Sequence, residues 1–229
     1  MSLFYWVIII GSSLIGFIVS TTLKSKFAKY SKVGLSGNFS GAEIAEKMLS
    51  YYGINDVKIV MGQGMLTDHY NPTTKTVNLS PDVFQGRSIA SAAVAAHESG
   101  HAVQHKQTYT WLTMRSAMVP VVQIASTLQQ FLLIGVFAIS GGLNINPTFL
   151  LIITLVFGIT ALFSVVTLPV EFDASKRALA WLTNSNTVVG KEYEGAKDAL
   201  KWAAMTYVVA ALSALVMFLY WFMRMNSRD

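Results

Sequence analysis

Four stretches constrain the fold of this chain more than any other feature. Leu3–Leu23, Ala117–Gly141, Thr148–Val170 and Ala203–Phe222 contain no Asp, Glu, Lys or Arg. Each supplies the roughly 20 apolar residues that a helix needs to cross the hydrocarbon core of a bilayer. The chain is 53% hydrophobic with a mean hydropathy of +0.48, too apolar for an ordinary soluble domain. The first stretch has no basic residue ahead of it and is too long for the apolar part of a cleavable signal peptide. It reads as a retained anchor.

If the four stretches are membrane spans, fifteen of the seventeen Lys and Arg fall on one side, between spans one and two and between spans three and four. The other side holds only Arg224 and Arg228. Lys24, Lys26, Lys29 and Lys32 crowd the end of the first span, where they suit a membrane surface. The positive-inside rule then expects both large polar segments in the cytoplasm and both termini outside. The net charge of +5 follows from this layout and asks for no nucleic acid. There is no cysteine, so any zinc site must use His and carboxylates.

One motif carries chemistry: His97-Glu98-Ser99-Gly100-His101, of the form H-E-x-x-H. Four residues on a helix amount to about 40° of rotation and roughly 6 Å of rise, so both imidazoles leave the same face. Two neutral imidazoles held this way make half of a tetrahedral zinc site. Glu98, about 100° round the helix from His97, can lean toward the metal's water as a general base. The alternative is a pair of hydrogen-bonded structural histidines. A Glu in an alanine-rich apolar helix is costly to bury without a task, which favours the metal.

Around this motif the chain reads as a small α+β unit. Ser40-Gly-Ala-Glu43 is a capping box that opens a helix to about Tyr52, with Gly53 placed to stop it. Asp56–Val60, Met65–Tyr70 and Lys75–Leu79 read as strands of a small antiparallel sheet. Ser80-Pro81-Asp82 starts a helical region leading into the zinc helix, about 82–108. Thr76–Leu79, just ahead of that helix, is a candidate edge for an extended peptide to pair with. His69 or Tyr70 could support the oxyanion of a tetrahedral intermediate, although hydrogen bonding within the turn explains either alone. His105 lies roughly 12 Å along the axis from His97, and no glycine turn brings it back, so it is rejected as a third ligand. Gln123, Gln129 and Gln130 in the second span suit interhelical hydrogen bonds, and no span carries the ionisable groups of a transport path.

A catalytic zinc has three protein ligands and an open position. Spans two and three, joined around Gly141–Pro147, return the chain to the side it left, at Glu171-Phe-Asp173-Ala-Ser175-Lys176-Arg177. Glu171 and Asp173 are therefore the leading candidates for the third ligand. They stand about 200° apart on a helix, so only one faces the metal easily. Asp173 is spaced to pair with Lys176 or Arg177, which leaves Glu171 as the stronger candidate.

Taken together, Thr67-Asp-His-Tyr-Asn-Pro72, Lys75-Thr-Val-Asn-Leu-Ser80, His97-Glu-Ser-Gly-His-Ala-Val-Gln104, Leu168-Pro-Val-Glu-Phe-Asp-Ala-Ser175 and Ala203-Ala-Met-Thr-Tyr207 resemble the YugP-like family of bacterial membrane zinc metallopeptidases over essentially the whole chain. The layout is also similar to the HtpX-like and CAAX-protease peptidases, in which a membrane hairpin separates H-E-x-x-H from an E-x-x-x-D element. The resemblance implies a gluzincin-type site with Glu171 as third ligand. It departs at Ser175, where the HtpX-like pattern has Asp; this weakens a supporting role there and shifts attention to Asp173.

The expectation is a mainly α integral membrane protein, with four transmembrane helices and a small α+β cytoplasmic gluzincin-like domain. Its parts are span one at 1–23, a cytoplasmic segment at 24–116, a hairpin of two spans at 117–170, a cytoplasmic helical segment at 171–202 and span four at 203–223. The expected activity is zinc-dependent endopeptidase, with Zn²⁺ on His97, His101 and Glu171 and Glu98 as base. Membrane or unfolded proteins or peptides are the expected substrates, at the cytoplasmic face of a bacterial cell membrane. The bilayer is its partner; a homo-oligomer or membrane-protein partner is left open. The competing readings are a non-catalytic zinc-binding membrane scaffold and a transporter or channel component.

Overall fold

A computed structural model describes the protein over residues 3–140 and 146–227. The described residues are mainly helical, with a small sheet. In chain order they form α1 (Leu3–Ser31), α2 (Gly41–Tyr51), β1 (Lys58–Met61), β2 (His69–Asn71), β3 (Thr76–Leu79), α3 (Pro81–Phe84), α4 (Ile89–Lys106), α5 (Thr110–Ser140), α6 (Pro147–Asn184) and α7 (Lys191–Asn226). The turn expected around Gly141–Pro147 falls mostly on residues outside this description, as does Arg228. Helices α1, α5, α6 and α7 are long and apolar enough to cross a membrane. Their apolar side chains remain widely exposed, as at Phe17 (67%), Ile124 (70%) and Leu155 (58%). Helix faces of that kind need lipid or another protein to cover them.

The chain divides into two compact units. One is drawn from Met1–Val19, Met114–Leu168 and Thr206–Asp229; the other comprises Ser20–Thr113 and Pro169–Met205. The first has its own apolar core, in which Tyr5, Leu132, Leu150, Ile153, Phe157 and Trp221 pack together. The second is the α+β unit. Its core gathers Ile44, Met48, Val77, Leu79, Ala92, Ala96, Trp181 and Leu182. Each large apolar side chain fully buried there contributes about 1.5–3 kcal/mol relative to exposure.

Local chemistry explains how the second unit is assembled. The Ser40 hydroxyl accepts from the Glu43 amide and the Glu43 carboxylate accepts from the Ser40 amide, so the capping box closes as expected. Gly53, at φ +62°, ends the helix. Asn71 Oδ1 then accepts from the amides of Thr73 (2.9 Å) and Thr74 (3.2 Å), a turn that folds β2 back on β3. The sheet order is β1-β3-β2, with β1 parallel and β2 antiparallel to β3. This corrects two expectations. The sheet is mixed rather than antiparallel, because β2 takes one side of β3 and β1, arriving in the same direction as β3, takes the other. Thr76–Leu79 is therefore the central strand with both sides paired, and β2 is an edge.

The helical region expected over 82–108 is interrupted. Helix α3 stops at Phe84, and α4 starts only at Ile89, behind its N-cap Ser88 at φ −122°, ψ 166°. The Ser88 hydroxyl accepts from the Ser91 amide at 3.2 Å. Gly86 makes the corner: a Cβ there would lie 2.2 Å from the Asp82 carbonyl oxygen and 2.2 Å from Ser91 Oγ. The break is anchored from the end of α1, where the Leu35 amide donates to the Arg87 carbonyl (3.0 Å) and the Ile89 amide to the Val33 carbonyl (3.1 Å).

Helix α4 is buried over most of its length, from Ile89 to Gln104. Its small side chains allow a close approach to α6. At Gly100 the approach is closest, since a Cβ would stand 2.8 Å from the Ala174 carbonyl oxygen. That contact sets the spacing between the two helices that carry the functional side chains.

Candidate metal centre

The i, i+4 spacing of His97 and His101 on α4 puts both rings on the face turned toward α6. They stand edge to face, with centroids 4.8 Å apart and planes at 81°. Glu171 enters from α6 and is 2% exposed. Its Oε2 lies 3.3 Å from His97 Nε2 and 3.6 Å from His101 Nε2. All three side chains are buried, and their donor atoms lie within 4.8 Å of one another, so the group could hold a metal ion. The spacing fits zinc: bonds of about 2.0–2.1 Å at the tetrahedral angle put neighbouring donors roughly 3.4 Å apart.

The outer nitrogens of the two rings have partners of their own. His97 Nδ1 is 3.1 Å from Ser175 Oγ, and His101 Nδ1 is 3.0 Å from Gln104 Oε1. The second contact determines a tautomer. Gln104 Nε2 is 2.8 Å from the Val170 carbonyl and 2.8 Å from Asp173 Oδ2, both of which only accept. The amide nitrogen must therefore face them, and Oε1 must face His101. That oxygen can only accept, so His101 Nδ1 carries a proton, and in the neutral ring Nε2 is left with the lone pair that a metal would take. A lone pair aimed at a carboxylate oxygen is an arrangement that a cation between them stabilises. Asp173 is held in turn by an ion pair with Arg177.

Glu98 lies beside the group but is turned toward the sheet. Its Oε2 accepts from the Tyr70 amide at 3.0 Å. Because Tyr70 sits on the edge strand β2, this amide points away from β3 and is available to the helix. Burial pushes the Glu98 carboxyl up to about 7; His97 opposes the shift, while Glu171 and Asp68 add to it. Asp68 fixes the approach to β2, accepting from the Ser80 amide (2.7 Å) and hydroxyl (3.0 Å) at the end of β3.

The structure thus brings together four of the residues singled out in the sequence: His97, His101, Glu171 and, next to them, Glu98. Asp173 faces Gln104 and Arg177 rather than the imidazoles. The side chains of His69 and Tyr70 each have a partner outside the group. The Tyr70 hydroxyl is 2.8 Å from His105 Nδ1, so its ring lies against α4. Side chains alternate along a strand, so His69 stands on the other face of the sheet, exposed, with Nδ1 2.8 Å from the Thr67 carbonyl. What Tyr70 brings to the site is its backbone amide. Ser175, where the HtpX-like pattern has Asp, does have a supporting contact, its hydroxyl lying 3.1 Å from His97 Nδ1. Gln104 went unnoticed, although its position three residues after His101 puts the two side chains on one helix face.

Residues 5–226 match the model of the family described as "Putative neutral zinc metallopeptidase". The chain is similar to the "Putative membrane protease YugP" of Bacillus subtilis (strain 168), 40% identical over 208 residues, which is 90% of each chain. No solved structure matches it. The zinc of that family has, in the His97–His101–Glu171 group, a buried donor set of the right kind and spacing. The chain belongs to this neutral zinc metallopeptidase family.

Proposed function

We propose that the protein is a membrane-embedded zinc endopeptidase that cleaves membrane or unfolded proteins at the cytoplasmic face, with a gluzincin-type centre of His97, His101 and Glu171. The observation that carries this reading is the convergence of two imidazoles from α4 and one carboxylate from α6, with Glu98 held next to them by a strand-edge amide. Bound zinc would supply a Lewis acid for the scissile carbonyl and lower the pKa of water at its open position.

The chain's own residues do the remaining work. Glu98 accepts the proton of the attacking water and returns it to the leaving amine. The Tyr70 amide keeps the Glu98 carboxylate in one orientation, which leaves its other oxygen for the water. Gln104 and Ser175 hold the two imidazoles with Nε2 inward. An extended substrate that adds as a further strand would do so at an outer strand of the sheet, since β3 has both sides taken.

The basic residues support the cytoplasmic side. Fifteen of seventeen Lys and Arg fall in 24–116 and 171–202, the segments that form the metal-bearing part. A site there meets substrate segments that emerge from or lie on the inner leaflet.

Full-length protein in detergent, wild type beside Glu98→Gln, tests the reading against a library of unfolded polypeptides. The variant is expected to keep its zinc and fold and to lose hydrolysis by three orders of magnitude or more. Wild-type protein that holds zinc and cleaves nothing in the library, or a Glu98→Gln variant that cleaves as well as wild type, would overturn it.

A further inference from the structure

Within the α+β unit, the end of α6 and the start of α7 leave between them an open groove of about 690 Å³. Its walls are mainly apolar, with Phe172, Leu179 and Met205 among the lining side chains, and three lysines line it: Lys176, Lys197 and Lys201. Phe172 is 49% exposed, which is unusual for an aromatic so close to a buried metal group. Among the described residues none of the three lysines is in an ion pair.

The order of groups along the groove matters. Span three ends at Val170 and span four begins at Ala203. At 1.5 Å per helical residue, Lys176 lies about 9 Å beyond the first boundary, and Lys201 and Lys197 about 3 Å and 9 Å from the second. Phe172 lies about 3 Å beyond the first boundary and Met205 about 3 Å inside the second. Nearest the bilayer the groove thus has Phe172 and Met205, the three lysines stand within about 9 Å of it, and Leu179 and Tyr193 lie farther out. An amphiphile with a negative head and a hydrocarbon tail has the same sequence of groups.

We infer that this groove binds one anionic phospholipid, its phosphate among Lys176, Lys197 and Lys201 and its acyl chain against Phe172 and Met205. The inference rests on the membrane boundaries proposed above and is independent of peptide hydrolysis. An acidic peptide would satisfy the lysines but leave the apolar lower wall without a partner. The lipid would lie close to the metal group, because Ser175 lines the groove and its hydroxyl contacts His97 Nδ1 at 3.1 Å.

The test uses full-length protein reconstituted in nanodiscs of phosphatidylglycerol diluted in phosphatidylcholine, released and weighed by native mass spectrometry. One retained phosphatidylglycerol per chain is expected. The triple variant Lys176→Gln, Lys197→Gln, Lys201→Gln is expected to retain it roughly a hundredfold more weakly, at about fivefold for each surface lysine. Lys24→Gln, Lys29→Gln, Lys32→Gln, which removes as much charge from another membrane-facing cluster, is expected to keep it. A diazirine-labelled phosphatidylglycerol is expected to crosslink to wild-type protein at Phe172 or Met205, a readout that does not depend on the triple variant folding. Equal retention by both triple variants, crosslinks only outside the groove, or equally tight binding of glycerol phosphate or an acidic peptide would overturn the inference.

Discussion

Gln104 Nε2 and Asp173 Oδ2 are 2.8 Å apart, and this contact turns the Gln104 amide so that its oxygen meets His101 Nδ1. With its nitrogen committed to Asp173 and to the Val170 carbonyl, Gln104 can offer His101 only an oxygen. Partners of this kind around a metal-binding histidine are worth 10- to 100-fold in affinity or activity. Gln104→Leu is therefore expected to weaken zinc binding by about that factor with the fold retained, as read by competition with a chromophoric chelator. Gln104→Glu should do worse, because it brings a second carboxylate against Asp173 and leaves the Val170 carbonyl without its donor.

Ser175 holds the other imidazole. Ser175→Ala leaves His97 Nδ1 buried without that contact, and zinc affinity is expected to fall about tenfold. Ser175→Asp restores a carboxylate four residues after Glu171 and is expected to recover most of the loss. Equal zinc affinity in wild type and Ser175→Ala would remove Ser175 from the supporting shell.

Gly100 sets the distance between α4 and α6. A Cβ at that position would stand 2.8 Å from the Ala174 carbonyl oxygen, and backbone cannot give way cheaply. Gly100→Ala is expected to cost about 1–3 kcal/mol in unfolding stability through overpacking. It should also separate the imidazoles from Glu171, so zinc content should fall together with melting temperature. A variant with lowered stability and full zinc content would show that the site tolerates wider helix spacing.

Asp68 gives a pH dependence with a definite sign. Burial raises its carboxyl above the usual value, against the opposing pull of the Ser80 donors. The folded state then binds the proton more tightly than the unfolded chain, so this group favours folding at low pH. Its contribution declines as pH rises from about 4 through the raised folded value. Asp68→Asn keeps an acceptor for Ser80 and removes the titration. The stability difference between variant and wild type is expected to shift in favour of Asn as pH rises through that window, as followed by denaturant unfolding. A difference independent of pH would show that Asp68 titrates alike in both states.

Much of this architecture is written in local patterns. The capping box at Ser40 and Glu43 uses side chains three residues apart, and the four apolar helices announce themselves by length. The pairing of His97 and His101 needs only helical geometry. Glu171 becomes a candidate because a hairpin of apolar helices must bring the chain back. What escaped the sequence depends on distant partners. The central place of β3 was hidden because strand order is decided by which neighbour arrives in which direction, and no local pattern records that. The break at Gly86 was hidden because Pro81 and the alanines of α4 both favour helix. The tie between Glu98 and Tyr70 was hidden most deeply, since every residue but proline has a backbone amide. The sequence singles out the Tyr70 side chain, and what reaches Glu98 is the Tyr70 amide.

Zinc content and zinc-edge X-ray absorption of the full-length protein, with wild type beside Glu171→Gln, test the centre most directly. One zinc per wild-type chain is expected, bound by two imidazoles and a carboxylate oxygen at about 2.0–2.2 Å, and Glu171→Gln should lose most of it while remaining folded. A Glu171→Gln protein that retains one zinc with an unchanged absorption spectrum would contradict the assignment of α4 and α6 to a common metal centre.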